Sequence, residues 1–344
     1  MDPISKDDLM KQSEVRYRRL FETAQDGILI LDGNTGVIQD ANRFIINLLG
    51  YTREELIGKE LWEIGPILDK TAALHAFVVL KDKGYIRYED LPLRSKEGKV
   101  INVEFVSNTY GVNGEMVIQC NIRDISDRKI LEKEILHYQQ TVTISMREMV
   151  KTLSTLVVAR DSYTGSHMRR VGHLATAIAT EMSLPIHTVE GVYLASLVHD
   201  IGKISIPAEI LTKPTPLVDY EIAMLKQHAQ TGYDILKHIH FPWNIAQAIL
   251  QHHERLDGSG YPNGIKGDLI CLEARIIAVA DTMEAMSFDR PYRKGKGLEA
   301  TLDEISEGSG KYFDAEVAQA CLKVFRQDGY VFPDHVFTLG NFPI

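Results

Sequence analysis

HHERLDGSGYP, residues His252–Pro262, sets two adjacent histidines, a glutamate, an arginine and an aspartate directly against a Gly-Ser-Gly-Tyr-Pro turn. Imidazole and carboxylate are metal-ligand chemistry, and glycine lets a backbone pass close to a neighbour. By itself the stretch also reads as a polar loop; its company decides. Upstream lie His167, the pair His199–Asp200 in LVHDIGKISIP, and His228; downstream lies Asp281 in VADTMEAM. The segments around them are patterned as helices, at Leu174–Met182, Thr188–Val198, Asp219–Ile239, Trp243–His252, Ala274–Ser287, Leu298–Glu307 and Ala315–Gln327, with almost no strand-like alternation. Residues 154–344 therefore read as an all-α bundle. Each candidate ligand falls on or near a helix end, where it can point into the bundle interior. The chain holds 12 histidines, so coincidence is conceivable. However, His199–Asp200 follows the apolar run Val192–Val198, where an unsatisfied pair would be costly, and metal coordination removes that cost.

The first third is built differently. GILILD (Gly27–Asp32) and GVIQDAN (Gly36–Asn42) read as two short strands around the turn Gly33-Asn34-Thr35, and Phe44–Leu49 as a short helix ending at Gly50. Three further strand-like runs follow, Tyr85–Arg94, Val100–Tyr110 and Glu115–Ile122, with turns at Lys96-Glu97-Gly98 and Gly111–Gly114. Residues 1–125 thus read as an α+β domain with an amino-terminal helix. His75 reads as a surface residue ahead of a haem ligand, and Trp62 and Cys120 as packing residues.

Between the halves, residues 126–153 read as a helical linker. Leu131, Ile135, Tyr138, Val142, Met146, Met149, Leu153 and Leu156 follow heptad steps with one stutter at Val142–Met146. A parallel coiled-coil homodimer is the expectation, since a lone helix would leave this stripe wet.

At 344 residues two domains are expected, and 44% apolar with 25% charged residues is ordinary for a globular protein. The net charge of -9 excludes the general electrostatic footprint of a duplex nucleic-acid binder. Three scattered cysteines suggest no disulfide framework, and no apolar run has the length of a membrane span. The expectation is a cytoplasmic protein with no membrane partner.

FETAQDGILILD, DANRFIINLLGYTREELIGKELWEI and the closing NIRDISDRK resemble a PAS sensor domain. The order His…His-Asp…His…His…Asp resembles the HD superfamily of metal-dependent phosphohydrolases. More narrowly, YTGSHMRRV, LVHDIGKISIP, ILTKP, HHERLDGSGYP and ADTMEAMSFDRPYR resemble the HD-GYP family. That resemblance implies hydrolysis of cyclic di-GMP to pGpG and often on to GMP. It implies one metal on His167, His199, Asp200 and Asp281, and a second on His228 and His252 with Asp200 bridging. His253 is implied as a further ligand or near-site group. Relatives with a third metal use a glutamate where this chain has Tyr163, so two metals are expected, with Asp161 and Glu254 leaving a third open. Imidazole-plus-carboxylate donors suit Fe, Mn, Ni, Co or Zn, and the resemblance favours Fe or Mn.

Lys203, one turn after the His-Asp pair, is placed to steady phosphate charge or protonate the leaving group. Arg290 and Arg293 could fork onto the distal phosphate of a cyclic dinucleotide. Tyr261 offers a face for guanine, Gly258 and Gly260 a close backbone approach to a ligand, and Pro262 a fixed turn. The reading is a sensor-controlled cyclic di-GMP phosphodiesterase. A phosphohydrolase of another cyclic dinucleotide, or a signalling scaffold binding partner proteins through the GYP face, are the alternatives; a metal-dependent oxygenase is the remote one.

Overall fold

The computed structural model describes residues 6–60, 70–160, 162–289 and 294–333. Trp62, Asp161, Arg290 and Arg293 lie outside the described residues, as does the side chain of Tyr163. Two compact units divide between Tyr138 and Gln139.

The amino-terminal unit runs α1 (Lys6–Thr23), β1 (Gly27–Asp32), β2 (Ile38–Ala41), α2 (Arg43–Leu49), α3 (Arg53–Leu56), α4 (Lys70–Lys83), β3 (Tyr85–Arg94), β4 (Val100–Val112) and β5 (Glu115–Asp124). The strands form one antiparallel sheet in the order β2-β1-β5-β4-β3. The β1–β2 turn is held by the Asp32 carboxylate, which accepts from the backbone N–H groups of Asn34 (3.0 Å) and Thr35 (2.8 Å). Alternate residues of β1, Leu29 and Leu31, are buried against Ile45, Leu49 and Ile118. Asn42 caps α2 and is fully buried without loss. Its Oδ1 accepts from Ile28 and Ile45 N–H, and its Nδ2 donates to the Phe21 and Asp26 carbonyls. Cys120 packs beneath the sheet against Ser107, its thiol pushed up to about 12 by burial. His75 is exposed on α4.

One helix, α5 (Ser126–Arg160), follows. The expected seam divides between two of its faces. Val150 and Val157 are buried in the apolar core of the helical unit, with Met146 and Leu153 packed beside them. Leu131, Ile135, Tyr138, Met149 and Leu156 face solvent. From Met146 onward the expected seam positions alternate between the two faces, Met146 and Leu153 inward, Met149 and Leu156 outward. The bundle core also takes in Val150, upstream of residue 154. Glu190 reinforces the attachment by pairing with Arg147 of α5.

The remaining helices are α6 (Ser162–Glu181), α7 (Ile186–Ser196), α8 (Ala208–Leu211), α9 (Asp219–Lys226), α10 (His228–Leu236), α11 (Ile245–Gln251), α12 (Leu272–Ser287), α13 (Leu298–Gly308) and α14 (Ala315–Arg326). A 3-10 turn, Ile201–Ser205, follows α7. The segment Asp219–Ile239, expected as one helix, breaks at Gln227. There the Gln227 N–H bonds Met224 O, and the His228 ring takes the Leu225 carbonyl, so the α-helical ladder is interrupted. Gly202 lets the 3-10 turn lie directly on α10, since a Cβ there would stand 1.9 Å from the His228 carbonyl oxygen. That contact brings His199–Asp200 and His228 together.

Candidate metal centre

Three histidines reach the interior by the same device. A helix leaves its last carbonyls without partners, and a side-chain N–H can satisfy one of them. His199 Nδ1 donates to Ser196 O (2.8 Å), His228 Nδ1 to Leu225 O (2.7 Å) and His252 Nδ1 to Ile249 O (2.6 Å). Each bond spans three residues back, at the ends of α7, α9 and α11. A carbonyl oxygen can only accept, so Nδ1 carries the proton in each ring and Nε2 presents a lone pair. Helix C-termini also carry partial negative charge, which favours a cation nearby.

His167 is held differently. From α6 its Nδ1 donates to the wholly buried Glu284 of α12, while Nε2 lies 3.2 Å from Asp281 Oδ1 and 3.7 Å from Asp200 Oδ2. Asp200 Oδ2 also lies 3.5 Å from His199 Nε2, and Asp200 Oδ1 lies 3.5 Å from His228 Nε2. Among the described residues, three triads have donor atoms within 4.8 Å of one another: His167/His199/Asp281, His199/Asp200/His252 and His228/His252/His253. Asp200 stands between the first and last groups.

The electrostatics match a cation site. Burial, and then neighbouring imidazoles, hold His252 and His253 well below the ordinary imidazole value. Burial likewise lowers His199 and His228, against the pull of Asp200. These rings are neutral and can donate lone pairs. Burial alone would raise Asp200 and Asp281, but adjacent cationic groups, Lys203 first for Asp200 and His167 for Asp281, keep both well below the carboxylate range. Burial opposes protonation of His167, and its hydrogen bonds to Asp281 and Glu284 outweigh it, giving a value of about 9. Most telling, His228 Nε2 and His252 Nε2 face each other at 3.3 Å. Two lone pairs in that position repel unless a cation lies between them.

Of the loop Arg255–Pro262, Tyr261 lies against this cluster, while Arg255 and Leu256 pack toward Phe313 and Tyr312. Tyr261 stacks on His253 (centroids 4.6 Å, 27°), so one of the ring faces expected for a ligand is covered by the chain itself. Lys226 Nζ lies 5.2 Å from the centroid of the same ring. Gly260 is also held close to the chain's own backbone. A Cβ there would meet Glu254 Cα (2.4 Å), Arg255 N (2.5 Å) and His253 O (2.5 Å), so the close approach is to the loop's own backbone. Gly258 has φ +82°, and the Tyr261–Pro262 bond is cis. Glu254 is buried; its Oε1 accepts from Asn263 N (2.7 Å), and its Oε2 has no hydrogen-bond partner among the described residues. Lys203 Nζ donates to Asp200 Oδ2 at 2.6 Å, which puts a cation at the edge of the cluster. Sequence reasoning missed Glu284, Arg170 and Lys226. The first two had a signal: each lies one helical turn beyond a candidate ligand, Glu284 after Asp281 and Arg170 after His167.

The family profile described as "HD domain" matches residues 151–317, which contain every residue of the cluster, and the "PAS domain" profile matches residues 15–82. The chain carries a PAS domain followed by an HD domain. This PAS–HD chain is 36% identical over 195 residues to the cyclic di-GMP phosphodiesterase response regulator RpfG of Xanthomonas campestris, covering 56% of this chain and 52% of that one. It is 40% identical over 200 residues to a cyclic di-GMP phosphodiesterase of Thermotoga maritima, covering 58% and 54%. It is 36% identical over 151 residues to the 3'3'-cGAMP-specific phosphodiesterase 1 of Vibrio cholerae, covering 44% and 35%. The PAS–HD chain spans about half the length of the first two relatives. No helix among the described residues is long and apolar enough to cross a membrane.

Proposed function

We propose that the PAS–HD chain is a metal-dependent phosphodiesterase that hydrolyses cyclic di-GMP to pGpG, GMP or both, under control of its PAS domain. The opposed Nε2 atoms of His228 and His252, 3.3 Å apart with both Nδ1 protons already engaged, carry the metal reading. His167, His199, Asp200 and Asp281 would hold one divalent ion; His228, His252 and His253 would hold the other, with Asp200 shared. Iron or manganese is favoured, with nickel, cobalt or zinc compatible with the same donors. Two bound metals supply water activation and neutralise phosphoryl oxygens. The chain's own part is to hold the donors in place, exclude bulk water with the Tyr261 loop, and keep the Lys203 ammonium beside Asp200, from which it can meet phosphate charge or protonate the departing 3′-oxygen.

The named activities of the relatives support a cyclic-dinucleotide substrate. The Vibrio cholerae relative supports a second reading, a mixed cyclic dinucleotide at the same centre. The three unpaired cysteines fit a reducing, cytoplasmic setting. A homodimer through α5 fits the solvent-facing stripe. With Ser145 and Thr152 in place of Met146 and Leu153, the outer face keeps heptad steps from Leu131 to Leu156 without a stutter.

The test is hydrolysis of cyclic di-GMP by anaerobically purified protein loaded with Fe(II) or Mn(II), beside a His199→Ala/Asp200→Ala control. Release of pGpG or GMP that vanishes in the control is expected. Full metal loading without turnover of cyclic di-GMP, but with cleavage of 3'3'-cGAMP, moves the substrate to the second reading; turnover of neither overturns the enzyme.

A further inference from the structure

Glu284 has 0% exposure, and a carboxylate so buried is retained only when its charge is fully matched. It is matched on both oxygens. Oε2 accepts from His167 Nδ1; Oε1 accepts from Arg170 Nε (2.8 Å) and Nη2. The Arg170 guanidinium is fixed in turn over the Phe288 ring, 4.2 Å from its centroid. The spacing makes this a clasp between two helices. Arg170 stands three residues after His167 on α6, and Glu284 three after Asp281 on α12, so each helix contributes one site residue and one buttress.

Among the described residues no other histidine of the cluster gives its Nδ1 proton to a carboxylate; His253 Nδ1 stays 4.0 Å from Asp281 Oδ2, beyond hydrogen-bond reach. His199, His228 and His252 give their Nδ1 protons to main-chain carbonyls. A carboxylate is a stronger acceptor than a carbonyl, so it draws the Nδ1 proton further and enriches the opposite nitrogen. We propose that Glu284, held by Arg170, is a positioning residue that fixes the orientation and donor strength of His167 and so governs one metal of the pair, leaving the other alone. This rests on the metal reading of the cluster given above, and extends it to two sites that differ in what holds them. A clasp that merely joined α6 to α12 would have no such selectivity.

The experiment uses the full chain, stripped of metal and titrated with Mn(II), with free Mn(II) followed by electron paramagnetic resonance. Glu284→Gln keeps the side-chain size. Its amide either turns an N–H toward His167 Nδ1, forcing the wrong tautomer, or turns it toward Arg170. One of two sites is expected to weaken by about 10–100-fold, and the other to stay within about twofold. In a His167→Ala background the same substitution is expected to change Mn(II) affinity no further. Arg170→Lys, which keeps the charge and loses the fork, serves should Glu284→Gln not fold; it is expected to weaken the same site, less severely. Wild-type affinity at both sites in either variant overturns the proposal. So does equal weakening with and without His167, which is the signature of a purely structural clasp. Absence of Mn(II) uptake by the wild type removes the metal centre itself, and this inference with it.

Discussion

His228 and His252 oppose their Nε2 atoms at 3.3 Å, and neither ring can turn the contact into a hydrogen bond, because each has its proton on Nδ1 and bonded to a carbonyl three residues back. Metal loading should therefore raise stability as well as permit catalysis. At a free metal concentration of 100 times Kd, linkage gives about 2.7 kcal/mol per site. Chelator treatment should lower the Tm seen by calorimetry, and Mn(II) should restore it. An unchanged Tm would show that the cluster holds no ion.

The contact of Gly202 with α10 fixes how near His199–Asp200 can come to His228. A Cβ at 202 would stand 1.9 Å from His228 O and 2.7 Å from Gly232 N, both main chain, so Gly202→Ala must move a segment. The expected cost is about 1–3 kcal/mol in stability, together with loss of one metal equivalent. Chemical denaturation and elemental analysis check the two. Retention of both metals would mean that the turn yields without spreading the ligands.

The two faces of α5 should respond to substitution in opposite ways. Val150→Ala removes buried surface from the bundle core and should cost about 1.5–3 kcal/mol. Met149→Glu, on a side chain 42% exposed, should leave folding stability within about 0.5 kcal/mol. If the outer stripe joins two copies, that second substitution, combined with Ile135→Glu, should shift the protein to monomer in sedimentation velocity. An unaffected oligomer would remove the stripe from the interface.

His173, outside the cluster, offers a pH dependence with a definite sign. Burial lowers its folded-state value from the ordinary 6.5. As pH falls through about 6.5 the unfolded chain takes the proton first, so stability present above that pH drains away below it. His173→Gln should remove this component, and the difference in Tm from the wild type should change between pH 7.5 and 5.5. A difference that stays constant across that range would show that His173 titrates alike in both states.

Much of this architecture is readable from residue order because the chemistry is concentrated. The α+β pattern of Gly27–Asp32 and the later strand runs follows from alternation and turns, and the candidate ligand set from histidines at the ends of apolar helical segments. What escaped was relational. The break at Gln227 has no glycine or proline to announce it; it comes from the His228 ring competing for a main-chain carbonyl. The heptad stutter is visible in sequence, but only packing shows that Met146 and Leu153 belong to a different face from Met149 and Leu156. Nothing in the residue order hints that Gly260 lies against the backbone of His253–Arg255, which leaves no room for a Cβ there. Glu284 and Arg170 lie within motifs already singled out, yet a charged residue one turn from a ligand looks like solvated surface until its partner on the other helix is known.

The clasp on His167 also divides the centre by how it can change. Peptide oxygens orient His199, His228 and His252, and no side-chain substitution alters a peptide oxygen. His167 takes its orientation from a side chain, so residue 284 is where a single replacement would act on a candidate metal ligand without altering the main chain. Adaptation to a different metal supply would find its shortest path there.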